Sequence, residues 1–274
     1  MKNQILEAYH DNMMTGHLGS TRTICRINKR FYWPKMEEEV RQYVRACLSC
    51  QMRKDVPAKP AGFMMFFEVE YPYHRVGIDV LGPFPGTEKN NKYIIVAIDY
   101  LTKWAETGSL QMATAADIAQ FFVNRIVLRH GAPQAIISDR GKGFIAELMQ
   151  ETLEIVKTKH LRTTSYHPQT NGLCERLNHT LSDMLSMYVN ADHKNWDEIL
   201  PYVTFAYNTS KQESTKYSPF YLLYGREAVF PLDVALKVNP NPYEHTEKDY
   251  GVFVAERITE AREVVVQNLR KVHL

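Results

Sequence analysis

The sequence predicts an α/β protein in which helices flank a mixed β-sheet and a small helical module precedes it. After residue 70, short runs rich in Val, Ile and Tyr alternate with longer stretches of helical periodicity. Within the first 50 residues, two His and two Cys residues occur as local pairs instead. Residues 55–62 contain two prolines, one glycine and no periodicity, so they are predicted to link the two parts.

The composition is that of a folded protein, and its charge distribution suggests an anionic partner for the front module, residues 1–60. Of 274 residues, 45% are hydrophobic and 23% charged, and no window approaches the length of a membrane span. The N-terminus lacks a signal-like apolar run, so we expect an intracellular protein. The net charge of +2 is unevenly distributed: residues 1–60 hold 11 Lys and Arg against 6 Asp and Glu. Such a basic module favours phosphate-bearing partners.

Periodicity predicts the elements. Helices are expected over 21–30 and 37–46 in the front module, and over 114–129, 142–157, 173–189 and 196–208 in the body. Strands are expected over 76–80, 92–99, 135–138 and 160–164, with the first two paired across a turn at 82–86. A pair of this kind followed by βαβ alternation indicates a mixed sheet. An amphipathic helix over 244–272 is interpreted as solvated or partner-facing in preference to DNA-binding.

The His and Cys pairs predict a structural zinc site. His10 and His17 are separated by six residues and Cys47 and Cys50 by two, all within 41 residues. Tetrahedral Zn²⁺ takes four nitrogen or thiolate ligands, and four protein ligands leave no position for a substrate. The alternative is that the cysteines are buried thiols and the histidines lie on the surface. Cys25 lies in the same window, but its apolar neighbours indicate a core position.

Three acids are candidates for a catalytic metal site. Asp79 lies in the first predicted strand of the body, Asp139 follows the strand 135–138, and Glu175 lies in the first turn of a helix. An unpaired carboxylate in an apolar strand is costly, and a bound Mg²⁺ would remove that cost. By spacing alone, three ordinary surface acids are an equally good interpretation.

The residues around these acids carry a family resemblance. The segments GIDVLGP (77–83), ISDRGKGF (137–144) and SYHPQTNGLCER (165–176) resemble the three catalytic motifs of the retroviral-type integrase core, with its D-x35-E spacing between the last two acids. The His and Cys pairs resemble the HHCC zinc domain of the same family. Tyr32-Trp-Pro34 and the run CLSCQMRK (47–54) are most similar to integrases of gypsy-type LTR retrotransposons. The resemblance covers about residues 5–230.

The resemblance implies a ribonuclease-H-like core with a five-stranded sheet, in which Asp79, Asp139 and Glu175 bind two Mg²⁺ or Mn²⁺ ions. It implies 3′-end processing and strand transfer of element DNA into target DNA, by a homo-oligomer on double-stranded DNA in the nucleus, without a membrane. It also implies an origin in a Pol polyprotein that carries reverse transcriptase. The chain differs from many relatives at Gly143, where they have Gln, and at Cys174, where they often have Val.

The expected domains are a zinc-binding domain over 1–55, a linker over 56–68, a catalytic core over 69–230, and a linker with an amphipathic helix over 231–274. A small β-barrel or chromodomain usually follows the core in this family; we expect it to be absent, because the sequence ends at Leu274. Two other functions remain to be weighed. A decayed or domesticated copy acting as a DNA-binding or interaction module would have lost an acid, and a simple ribonuclease H would lack the zinc module and the D-x35-E spacing.

Several polar residues near the acids are candidates for DNA contacts. Arg140 and Lys142 flank Asp139 and would lie near a bound phosphate, or else are ordinary exposed cations. The loop 166–172 has polar donors and a terminal glycine, as a flap over a strand end would. Asn178 lies one helical turn after Glu175, on a face that either touches DNA or is solvated. The predicted DNA-contacting residues are Arg140, Lys142, His167, Gln169, Asn171 and Asn178.

Overall fold

The structure is a computed structural model, and it describes residues 1–53, 69–139, 141–162, 172–241 and 250–272. The strands are β1 (Arg75–Leu81), β2 (Tyr93–Asp99), β3 (Ala105–Leu110), β4 (Ala135–Ser138) and β5 (Lys159–Arg162). The helices are α1 (Lys2–His10), α2 (Ser20–Asn28), α3 (Met36–Ala46), α4 (Leu48–Arg53), α5 (Ala115–Phe121), a π-helical turn η1 (Phe122–Val127), α6 (Leu128–His130), α7 (Lys142–Ile145), α8 (Glu147–Ile155), α9 (Gly172–Ser186), α10 (Trp196–Asn208), α11 (Pro219–Tyr224), α12 (Pro231–Ala235) and α13 (Tyr250–Val272). None of these helices is long and apolar enough to cross a bilayer.

The five strands form one mixed sheet in the order β3-β2-β1-β4-β5. β1 pairs antiparallel with β2, and β2 pairs antiparallel with β3. β4 lies parallel to β1 on its other side, and β5 lies parallel to β4. The predicted α/β class, the mixed sheet and the pairing of the first two strands are confirmed.

Alternation along the central strands separates two apolar layers. The side chains of Val76 and Ile78 of β1 lie on one face of the sheet, and α5, η1 and α8 cover this face. The residues between them point to the opposite face, where α9, α10 and α13 pack on Ile94, Val96, Ile98 and Ile137. Because side chains two residues apart share a face, Gly77 and Asp79 belong to the layer that contains α9.

The edge strand β3 was not predicted from the residues. Its sequence, Ala-Glu-Thr-Gly-Ser-Leu, has one β-branched residue, Thr107, no aromatic residue, and a glycine that disfavours strands. It is held by pairing with β2 and by a side chain from α10: the amide of Asn208 accepts a hydrogen bond from Ala105 N (2.8 Å) and donates one to Ala105 O (2.9 Å). Tertiary contacts therefore supply what local propensity does not.

Most predicted helices agree with the structure, with shifts at their ends. The helix predicted over 142–157 is wrong as one element, because Ala146 has extended backbone (ψ 148°) and divides it into α7 and α8. The helix predicted over 114–129 is continuous but contains the π-helical turn η1. The predicted linker and the last residues of the strand 160–164 lie outside the described residues, as does the start of the helix 244–272.

The front module has its own apolar core and a buried junction with the body. Residues of α1, α2 and α3 such as Tyr9, Ile27 and Val40 are completely or almost completely buried together. Arg26 of α2 crosses the junction and donates hydrogen bonds to the carbonyl of Ala206 (3.1 Å) and to the hydroxyls of Thr209 and Ser210. Its burial lowers the pKa of the guanidinium to about 10.

Asp233 of α12 also ties the front module to the later part of the chain. Its carboxylate is fully buried and accepts hydrogen bonds from Tyr9 Oη (2.8 Å) and Arg30 Nε (2.8 Å). The two parts of the chain therefore share a polar, desolvated interface as well as apolar contacts.

The C-terminal helix corrects one prediction. We interpreted its apolar stripe as solvated or partner-facing, but Ala261, Val265 and Leu269 of α13 are buried in the core layer next to the sheet. Arg262 donates two hydrogen bonds to the carbonyl of Leu222 on α11. The helix thus covers the core of its own chain, which a periodicity pattern alone does not reveal.

Candidate metal centre and active site

The four predicted zinc ligands converge at one point in the front module. His10 ends α1, His17 lies in the turn that follows, Cys47 directly follows α3 and Cys50 lies in α4. Their ligand atoms all lie within 4.8 Å of one another, and three of the four residues are buried. Within the described part of the chain, this is the one compact cluster of metal-binding side chains.

The spacing of the donor atoms fits a tetrahedral zinc ion. His17 Nδ1 lies 3.3 Å from His10 Nε2, Cys47 Sγ 3.4 Å from His17 Nδ1, and Cys50 Sγ 3.5 Å from His10 Nε2. A zinc tetrahedron with ordinary bond lengths has edges of about 3.3 Å between nitrogens and about 3.6 Å between nitrogen and sulfur. Cys25 is half-buried and does not join this set.

The turn that carries His17 has an unusual backbone. Gly16 (φ 67°) and His17 (φ 44°) both have positive φ, and a Cβ at Gly16 would lie 2.2 Å from the end of the Met184 side chain on α9. A side chain at Gly16 would therefore meet both backbone strain and the end of the Met184 side chain. The turn that carries His17 thus packs directly against α9.

The three predicted acids surround the ends of the two central parallel strands. β1 and β4 pair with Gly77 opposite Ile137, so Asp79 and Asp139 stand two residues further on, at the same level. Both residues lie at strand positions whose side chains are on the α9 side of the sheet, and α9 carries Glu175 in its first turn. Asp79 is half-buried, whereas Asp139 and Glu175 are exposed.

The pKa of Asp79 is affected by the negative charges of the other two acids. Burial raises the pKa of its carboxyl, and so do the negative charges of Asp139 and Glu175, against the opposing effect of two hydrogen bonds. These bonds come from Val80 N (2.9 Å) and from the amide of Asn178 (2.8 Å). The donor set is all oxygen and mutually repulsive, which suits a hard divalent cation.

The acids are not as tightly gathered as the zinc ligands. They do not form a compact ligand cluster of the kind the four His and Cys residues form. Asp139 turns back toward its own loop, where its Oδ1 accepts a hydrogen bond from Gly141 N (2.8 Å). The structure therefore brings the acids to one edge of one sheet face, with Asp79 at the centre.

Cys174 and Gly77 form a close contact that positions the start of α9. Cys174 is fully buried, and a Cβ added at Gly77 would lie 2.6 Å from its Sγ. Burial, followed by the charges of Asp79, Glu175 and Asp139, raises the pKa of this thiol well above its usual range. Glu175, the next residue, is thus held beside β1 by a packing contact that the sequence motif did not reveal.

Of the predicted DNA-contacting residues, only two are described. Lys142 is exposed at the start of α7, and Asn178 is committed through its amide to Asp79. Arg140, His167, Gln169 and Asn171 lie outside the described residues. The role of Asn178 as a support for Asp79 was missed in the sequence, although its position one turn after Glu175 on a polar face could have suggested it.

Two known protein-family domains match the segments that contain the two candidate sites. Residues 1–56 match the integrase zinc binding domain, and residues 70–168 match the integrase core domain. The first match contains all four His and Cys ligands. The second contains Asp79 and Asp139 and ends seven residues before Glu175.

Individual relatives come from retrotransposons or resemble their integrases. Over 231 residues, 84% of this chain, the sequence is 29% identical to a retrovirus-related Pol polyprotein from transposon 412 of Drosophila melanogaster. It is 31% identical to gypsy retrotransposon integrase-like protein 1 of Bos taurus over the same share of the chain. The chain spans only 19% of the first relative and 46% of the second.

A solved structure shares the fold. It is a cryo-EM structure of the simian T-cell lymphotropic virus intasome in complex with PP2A regulatory subunit B56 gamma, with a TM-score of 0.53, 17% identity, and coverage of 85% of this chain and 77% of that one. The five-stranded core is therefore ribonuclease-H-like. The two domain matches in this order, together with these relatives, place the chain in the integrase family of retroviruses and retrotransposons, with an integrase zinc-binding domain followed by an integrase core domain.

Proposed function

We propose that this chain catalyses metal-dependent 3′-end processing and strand transfer, joining element DNA ends to target DNA. The observation that carries the proposal is the position of Asp79 and Asp139 at the ends of neighbouring parallel strands, with α9 and Glu175 tied to Asp79 through Asn178. The substrate is double-stranded DNA, and the site of action is the nucleus. The relatives support a Pol polyprotein origin, and we expect a homo-oligomer to assemble on DNA.

Asp79, Asp139 and Glu175 would hold two Mg²⁺ or Mn²⁺ ions. Such ions, when bound, neutralise charge on the attacking and leaving oxygens of a phosphodiester during in-line displacement. The residues of the chain hold the ligands in place: the amide of Asn178 and the N–H of Val80 orient the Asp79 carboxylate, and the Gly77–Cys174 contact sets the height of α9 above β1. Preorganised ligands lower the cost of reaching the transition state.

His10, His17, Cys47 and Cys50 would hold one structural Zn²⁺. Four protein ligands would leave no open position on the ion, so it would supply folding energy and no chemistry. The zinc module would thus orient α2 and its cations against the core.

The test is strand transfer on a preprocessed DNA end with Mg²⁺ or Mn²⁺. We expect activity in the unmodified protein and loss of at least about a hundredfold in Asp79→Asn, Asp139→Asn and Glu175→Gln, because each removes a metal-binding charge. Combining them should add little, because the three act as one unit. Glu151→Gln, an exposed acid on α8, is the matched control and should retain activity.

Two outcomes would contradict the proposal. Equal losses in Glu151→Gln would show that the acids act only through stability or net charge. If the unmodified protein binds DNA but neither processes nor joins it, the chain is a DNA-binding module and not an enzyme.

A further inference from the structure

A basic cavity lies beside the first turns of α9, outside the acid site. It has a volume of about 570 Å³ and is bordered by α9, by the turn after β2 and by the segment that follows α10. Among the described residues, its charged lining comprises Arg22, Lys103, Arg176 and Lys216 against a single carboxylate, Glu213. Glu213 is already paired with Lys216. The remaining three cations have no acid of this lining left to neutralise them.

Lys103 is the least expected of these cations. Its side chain is only 7% exposed, and its Nζ donates to the carbonyl of Tyr100 (2.6 Å). No carboxylate of the described chain lies within ion-pair distance of it. Burial lowers the pKa of this ammonium to about 8; the negative charge of Asp99 opposes this effect in part, and the positive charge of Arg176 adds a smaller lowering effect. A buried amine facing another cation is costly unless an anion compensates it.

The other two cations come from different parts of the chain. Arg22 belongs to α2 of the zinc-binding domain and Arg176 to α9 of the core. Both face the buried Tyr207, since the positive charges of Arg22 and Arg176 oppose the rise in the pKa of its hydroxyl that burial causes. Neither arginine has an ion-pair partner within the described ranges. The cavity is therefore assembled only when the two domains are in contact.

The lining selects an anion of extended shape. Guanidinium and ammonium groups are the main ligands of phosphate in protein–nucleic-acid contacts. The cavity is open to solvent along α9, and Arg176 directly follows Glu175 in sequence. Because Arg176 lines the cavity and Glu175 directly precedes it on α9, a DNA strand bound at the acids would lie close to the cavity.

We propose that Lys103, Arg176 and Arg22 form a phosphate-binding site that holds the sugar–phosphate backbone of DNA next to the catalytic acids. This proposal rests on the proposed function, since it assumes that DNA reaches Glu175. The buried ammonium is the anchor, and the two arginines make the site dependent on contact between the domains. Its contribution is affinity and placement of the strand, without sequence discrimination.

The experiment measures binding of a short fluorescein-labelled DNA duplex by anisotropy, in EDTA and over a series of salt concentrations. The variants are Lys103→Met, Arg22→Gln and Arg176→Gln. We expect each to weaken binding about 3- to 10-fold and to reduce the slope of log affinity against log salt by about one, as for a lost phosphate contact. Arg125→Gln is the matched control: it removes an exposed charge on η1, across the sheet from α9.

Folding is checked for each variant by thermal unfolding. Lys103→Met keeps the apolar stem of a buried side chain, and the two arginine variants change more accessible residues, so the test does not depend on one substitution. Unchanged affinity and salt slope in all folded variants would overturn the site, as would an equal loss in Arg125→Gln. Competition by inorganic pyrophosphate with no effect of the variants on duplex binding would also overturn it, in favour of a site for free phosphates.

The same measurements separate this site from the proposed function. Because EDTA removes divalent ions, binding is read without catalysis, and Asp79→Asn should bind the duplex at least as well as the unmodified protein. If the Lys103, Arg22 and Arg176 variants weaken DNA binding but the unmodified protein shows no strand transfer, the phosphate site stands and the proposed enzymatic function is rejected. If strand transfer occurs and none of the three variants changes DNA binding, only the phosphate site is rejected.

Discussion

At the residue scale, Asn178 shows how one side chain can serve a site without touching substrate. Its Nδ2 donates to Asp79 Oδ2 (2.8 Å), while its Oδ1 is buried and has no hydrogen-bond partner among the described residues. The amide is therefore oriented by Asp79 alone, and it neutralises none of the negative charge there. Groups that orient metal ligands in this way contribute strongly to metal affinity.

Asn178→Ala is accordingly expected to lower strand-transfer activity about 10- to 100-fold and to raise the Mg²⁺ concentration needed for half-maximal rate. Asp79 would lose its fixed orientation while keeping its charge. Steady-state assays across a Mg²⁺ titration measure this, with Ser182→Ala, an exposed polar residue two turns along α9, as the control. A lower rate with an unchanged metal requirement would argue against a positioning role.

At the element scale, β5 depends on one neutral imidazole. Ser138 Oγ donates to the carbonyl of Asp139 (2.8 Å), so it accepts from His160 Nε2 (2.8 Å). On the other side, Gln150 Nε2 donates to His160 Nδ1 (3.1 Å), and the orientation of that amide is set by Arg162, which donates to Gln150 Oε1. The bond from Gln150 requires Nδ1 to be unprotonated, and the bond to Ser138 places the ring proton on Nε2, so the imidazole is neutral. Burial, with the nearby charge of Arg162, lowers the pKa of His160 from 6.5 to about 4.

The sign of the pH effect follows from this shift. Between pH 6.5 and about 4, the unfolded chain binds a proton at His160 that the folded chain excludes, so the free energy of unfolding falls as the pH falls through that window. We expect His160→Gln to lose part of this dependence between pH 7 and pH 5 in urea unfolding, whereas His193→Gln, at an exposed turn, should retain it. Identical pH slopes in both variants would contradict a buried neutral His160.

At the scale of the whole molecule, the zinc-binding domain and the core share a buried polar junction. Arg26 ends among buried carbonyl and hydroxyl groups of the core, and Asp233 depends on Tyr9 and Arg30. A buried charge that loses its partner is strongly destabilising. Loss of the zinc-binding domain would therefore leave Asp233 uncompensated, even though the sheet retains its own apolar layers.

Zinc removal tests this coupling. Chelation, or Cys47→Ser, should abolish the helical signal of α1–α4 and lower the unfolding temperature of the remaining core, because the binding energy of a structural zinc is largely folding energy. Cys25→Ser should keep one zinc per chain, since Cys25 is not in the ligand cluster. Metal analysis, circular dichroism and thermal unfolding provide the readouts. A zinc-free protein with α1–α4 still folded would refute the structural role.

The parts of the molecule that local pattern encodes were predictable. The candidate zinc ligands lie in local pairs at or beside the ends of short helices, so spacing alone predicted their cluster. Strands β1, β2 and β4 are apolar runs whose burial is visible in the residue types. The cost of a carboxylate in an apolar strand drew attention to Asp79. The three acids together were singled out by their flanking residues, whose motifs resemble those of the integrase core.

Long-range contacts decided the rest. β3 exists because Asn208 and β2 satisfy its backbone, and α13 covers the core because its stripe meets α10 and α11, not because its periodicity says so. The support of Asp79 by Asn178 and the cavity around Lys103 join residues that lie far apart in sequence. The sequence by itself determined the donor types, their spacing and the apolar faces, since these are properties of neighbouring residues. Tertiary structure alone decided which polar groups face one another, because burial and charge proximity arise only when distant elements pack.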